Sequence, residues 1–152
     1  MNTDVESILA ARSEWLSDIA AYQKDLVDQL MQGRDPIYAA QAWLQAGSPD
    51  TAPFGALQGA KIFFDKVLDE IHDLLCSPEQ FQEQRESLAR EYGAGKITFT
   101  AGVTAYISPA LGADPTMLTP VVAIILTIIS QAGLRAWCEV QSERRARQEE
   151  QK

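Results

Sequence analysis

Hydrophobic positions recur at helical spacing along most of the chain. Near the start, Ile8, Trp15, Ile19, Tyr22, Leu26 and Leu30 follow one another mostly at steps of three, four and seven, and Val5, Leu9, Leu16 and Val27 widen the stripe. Thr3 and Glu6 are spaced as a capping box, so the pattern predicts one long helix over about 4–31, stopped by Gly33. "DPIYAAQAWLQAG" predicts the next, with Asp35 as cap, Pro36 at the first helical position and Gly47 at the end. "SPDTAPFG" reads as a loop. From about Phe54 to Cys76 the row Phe64, Leu68, Ile71 and Leu75 predicts a third helix, edged by Asp65, Lys66, Asp69, Glu70 and Asp73. "SPEQ" repeats the start signal at Ser77, Pro78 and Gln80, for a helix carrying Phe81, Leu88 and Tyr92 and ending at Gly93.

The character changes at Ile97. Between there and Leu134 the one side chain charged at neutral pH is Asp114. "DPTMLTP" divides this stretch, with Thr119 as a candidate cap for "PVVAIILTIISQAGL", which is apolar on every side. The pattern predicts a hairpin of two apolar helices over 97–138, the second running past Trp137 into the charged tail. In the first arm, Ile97, Phe99, Ala101, Val103, Ala105 and Ile107 also alternate with polar or small residues, which is a strand period. A strand would need a partner for its backbone, and no other segment offers one, so helix is the expectation.

Composition narrows the class. At 152 residues the chain suits one domain with a real core, and 46% of it is apolar. Residues 1–92 hold sixteen acidic against seven basic side chains, and the net charge is −8. An acidic body repels a phosphate backbone, and "SERRAR" is flanked by glutamates, so nucleic-acid binding is not expected. Cys76 and Cys138 each sit in an apolar helical pattern and read as buried free thiols. With that reading and an acidic, uncleavable start, the expected setting is the cytoplasm, or the inner face of a membrane if the hairpin inserts.

Candidate chemistry is thin. "REYGAGKITFT" resembles a phosphate loop only in passing: with Lys96 aligned, Arg90 replaces the first glycine and Ile97 the magnesium-binding hydroxyl. In "DEIHD", Asp69 and His72 have the three-residue spacing of a bundle metal site, but His72 is the sole histidine of the chain. His72 and Cys76 could share a helix face, without further ligands in sight. No G-x-S-x-G elbow is present, and carboxylates four apart, such as Asp65 with Asp69 or Glu79 with Glu83, read as a solvated face. No catalytic, cofactor-binding or metal-binding residue is therefore assigned.

The resulting expectation is an all-α fold: a single helical domain over 1–148 of about five to six helices, with residues 149–152 as a frayed tail. Acidic amphipathic helices over 1–92 enclose a C-terminal apolar hairpin packed centrally. The expected role is a non-catalytic protein-interaction or regulatory module acting on a protein partner or on a second copy of itself. Trp15, Ile19, Tyr22 and Leu26 form the candidate partner surface, since their spacing suits a coiled coil as well as a core. Gly93 and Gly95 are the candidate hinge. The alternative is a membrane-active effector or anchor that inserts 97–138, with Lys96 and Arg135, Arg144, Arg145 and Arg147 flanking the apolar stretch. A hairpin hidden in a bundle and released on a signal combines the two, and architecturally resembles pore-forming colicin domains, although no diagnostic motif accompanies it.

Overall fold

Pro120 lies inside the most apolar helix among the described residues. A computed structural model describes residues 3–12, 15, 19–32, 35–47, 56–77 and 79–150, less the side chains of 3–4, 26, 30–31, 45–47 and 56–60. The described residues form eight helices and no strand. They are α1 (Thr3–Ala11), α2 (Ala21–Met31), α3 (Pro36–Gly47), α4 (Ala56–Cys76), α5 (Gln82–Gly93), α6 (Phe99–Leu111), α7 (Pro115–Ala132) and α8 (Leu134–Glu150).

The all-α expectation holds, but eight helices replace five or six because two long predicted helices are each broken. The first is divided between α1 and α2. Trp15, between them, gives its backbone N–H to Thr127 Oγ1 at 3.1 Å and its indole N–H to Ser130 Oγ at 2.7 Å. Both donors are thus spent on α7, and the ring, fully buried, packs 5.5 Å from Phe99. The second break falls at Gly133, whose φ of +92° ends α7 and starts α8 in a new direction. Leu16, the stop at Gly33, the 48–55 loop and Pro78 lie outside the described residues, as do the side chains of Thr3, Leu26 and Leu30.

The cap of α7 lies five residues before the predicted Thr119. Asp114 is the cap, accepting from the Thr116 N–H at 2.9 Å, with Pro115 in the first turn. Pro120 has no N–H, so the Thr116 carbonyl loses its helical donor. The buried Gln23 of α2 supplies one, its Nε2 donating to that carbonyl at 3.0 Å. The helix therefore survives its internal proline. From Pro120 to Thr127 every residue is buried, as a helix apolar on all sides requires. α7 packs against α1, α2, α3, α6 and α8, and the Trp43 indole of α3 donates to the Met117 carbonyl at 2.9 Å.

α6 settles the strand-or-helix ambiguity in favour of helix. Thr98 caps it, accepting from the Ala101 N–H at 3.0 Å. Phe99, Val103 and Ile107 form one buried row at four-residue steps, and Thr100, Thr104 and Ser108 a second. Thr104 and Ser108 return their hydroxyl protons to the carbonyls four residues back, at 2.8 and 2.7 Å. Those bonds let hydroxyls enter an apolar interior without a desolvation penalty. Gly102 brings α6 close to α5, since a Cβ there would lie 2.3 Å from Leu88 Cδ1.

α5 begins at Gln82 rather than at the predicted Ser77–Pro78 signal. Phe81 precedes it in the left-handed region (φ +65°). One turn on, buried Arg85 donates through one nitrogen to the Leu74 and Gln80 carbonyls at 2.8 and 2.9 Å. It thereby satisfies the C-terminal end of α4 with a cation, where the helix dipole favours one.

Candidate functional site

Two features of α8 stand out once the core is set aside: how it is fastened to α4, and the apolar groove it borders.

The fastening runs antiparallel. Asp65, Asp69 and Asp73, one turn apart on α4, face Arg144 and Arg145 of α8. Arg144 reaches Asp69 at 2.7 Å, and Arg145 reaches Asp73 at 2.7 Å. Cys76 and Cys138 close the other end as a disulfide with Cα atoms 5.7 Å apart. The free-thiol expectation is overturned, because the two helices bring cysteines 62 residues apart in sequence within bonding reach. The cytoplasmic expectation loses its cysteine argument with it, since disulfides persist where conditions oxidise.

His72 sits inside this junction. Arg145 has only donors to offer, so its 3.0 Å contact is a hydrogen bond given to His72 Nδ1. The neutral ring therefore carries its proton on Nε2 and donates towards Ser142 Oγ at 3.1 Å and the Cys138 carbonyl at 3.3 Å. Burial lowers the imidazole pKa; the bond to Cys138 opposes this, and the Arg145 charge adds to it. Burial likewise raises Asp65, which Arg144 partly offsets, and raises Glu70, helped by Asp73. Among the described residues no group of three or more His, Cys, Asp or Glu converges as metal ligands. Cys76 is held in its disulfide and His72 Nδ1 in its bond to Arg145, so neither is offered to a metal.

The groove lies between α3, α4, α7 and α8. Phe64, Leu68, Ile125 and Ile128 line it, with Trp137 on the α8 side, enclosing about 300 Å³. Ile37 and Val140 border it and are 41% and 57% exposed. Together with Tyr22 and Tyr38 they are the large apolar side chains exposed among the described residues.

The predicted partner surface divides. Trp15 and Ile19 are buried in the core, Tyr22 is 63% exposed, and the Leu26 side chain lies outside the described residues. Gly93 is the last residue of α5, and Gly95 follows with φ +75°. The Lys96 N–H bonds to the Glu91 carbonyl and the Gly95 N–H to the Tyr92 carbonyl, both at 3.0 Å. That pair of bonds is a Schellman helix end with Gly95 in its left-handed position. The Gly-x-Gly-Lys of the sequence is thus a helix terminator. Ile37 and Val140 were missed because each stands near polar or charged residues that mask a surface patch in one dimension.

Compared with protein-family models, curated proteins and solved structures, the chain gives no significant match.

Proposed function

We propose that the protein is a non-catalytic helical interaction module that self-associates through the groove between α3, α4, α7 and α8. The observation that carries this reading is the exposure of Ile37 and Val140 at the border of a groove lined by Phe64, Leu68, Ile125 and Ile128. Water gains nothing from such a surface, whereas a partner helix laid across it removes apolar area from solvent. The molecule itself carries suitable cover in Tyr38, Ile37 and Val140, and a two-fold contact would set the same patch against itself. The apolar hairpin 97–138 serves in this reading as the central scaffold around which the other helices pack.

The test is the mass in solution of the chain and of its Ile37→Glu/Val140→Glu variant, by light scattering over a concentration series. A mass above one chain that falls to one chain in the variant supports the reading. A single-chain mass at every concentration removes it.

A second reading rests on its own observation. α7 has 18 residues with a mean hydropathy of 1.7, long and apolar enough to cross a membrane, although 56% of it is buried in the fold. A membrane-active protein that exposes α7 would bind liposomes in flotation, and the interaction module would not.

A further inference from the structure

We infer that the Cys76–Cys138 disulfide is a thiol-exchange site that controls the attachment of α8, so that reduction releases this helix while the rest of the bundle stays folded. Both cysteines are half-buried, and they line an opening of about 510 Å³ with Ser77, Ser142, Glu139 and Glu143. That space admits a small dithiol.

What holds α8 without the bond is limited. Its buried residues are Leu134, Trp137 and Gln141, all in its first half. Beyond them it is fastened by arginine–aspartate pairs whose side chains are 20–48% exposed and by the exposed Arg135–Glu6 pair. His72 adds bonds to Ser142 and the Cys138 carbonyl, and all of these are polar contacts that water and salt weaken. Gly133, at φ +92°, separates α8 from α7, so α8 can turn away without unwinding its neighbour. Although Leu134 and Trp137 join the core, α7 remains covered by α1, α2, α3 and α6 without them.

The chemistry is ordinary thiol–disulfide exchange. A thiolate of the dithiol attacks one cysteine sulfur, forming a mixed disulfide and expelling the other cysteine as a thiolate, which takes up a proton. The second thiol of the reductant, as its thiolate, then displaces the remaining cysteine, which is protonated in turn. The protein gains two electrons and two protons, and the dithiol leaves as its own disulfide. Release of α8 also carries away Trp137 and Val140, one side of the groove. The inference does not depend on the proposed self-association, because α8 attachment is read on the chain itself.

The experiment is hydrogen exchange by mass spectrometry on the native chain, oxidised and after dithiothreitol, with thiol content checked by alkylation. Cys76→Ser/Cys138→Ser serves as the permanently unlinked control. The expected result is exchange at least tenfold faster across 138–150 in the reduced protein and in the variant, with 118–129 still protected. Three results would overturn it: a native disulfide that resists dithiothreitol, unchanged protection of 138–150 after reduction, or protection lost throughout the chain. The last would make the bond a staple of the whole fold.

Discussion

Gln23 on α2 donates to the Thr116 carbonyl that Pro120 leaves without its helical partner. Gln23 is itself buried and its bond to Thr116 part-buried, so losing the donor should cost about 1 kcal/mol. Gln23→Leu should therefore lower the urea midpoint. In a Pro120→Ala background the restored N–H at 120 can serve Thr116, so the same change should cost about 1 kcal/mol less. Equal losses in both backgrounds would show that Gln23 acts through packing alone.

Trp15 and Ile19 were legible as a hydrophobic stripe, but periodicity cannot distinguish a core from an interface. With Ile19 only 9% exposed, Ile19→Asp buries an unpaired carboxylate and should collapse the far-UV helical signal. Trp15→Phe keeps an aromatic ring but removes the indole N–H that bonds Ser130 and leaves part of a fully buried site unfilled, and should cost about 2–4 kcal/mol in denaturant titration. An Ile19→Asp protein with wild-type helicity and altered mass would return this stripe to the role of partner surface.

The two candidate hinge glycines should behave differently. Gly95→Ala forces a side chain into the left-handed region and should cost about 1–2 kcal/mol. Gly93 sits in a helical turn with no atom within 4 Å of a new Cβ, so Gly93→Ala should be neutral or stabilising by about 0.4–1 kcal/mol. Thermal melts of the two single variants decide the point, and a hinge would make both changes alter association.

His72 gives the fold a defined pH response. Burial holds its pKa below the ordinary 6.5, so the unfolded chain takes up this proton at higher pH than the folded one. The stability tied to the neutral ring is present above pH 6.5 and is lost as pH falls below it. Asp65 and Glu70, raised by burial, have the opposite sign: the folded state takes their protons first, so acidification through the carboxylate range favours it. Urea midpoints between pH 7.5 and 5 should fall more steeply for the wild type than for His72→Gln. Parallel curves would contradict the lowering of the His72 pKa by burial.

Helical class, the apolar stretch and most helix ends could be read from spacing and caps. What could not be read depends on contacts distant in sequence. The α1–α2 break exists because Trp15 finds Thr127 and Ser130 on α7. The continuity of α7 through Pro120 exists because Gln23 reaches Thr116. The disulfide needs α4 and α8 antiparallel, which nothing local to Cys76 or Cys138 specifies. Val140 stands among charged residues in sequence, and only the fold sets it beside Ile37 of α3 at one groove.

Light scattering on detergent-free protein, with liposome flotation of the same sample, tests the central claim most directly. The account predicts that the wild type remains in the aqueous fraction at a mass above one chain, and that Ile37→Glu/Val140→Glu reduces it to one chain with helicity intact. Recovery with the liposomes, or a one-chain mass for the wild type at all concentrations, would contradict it.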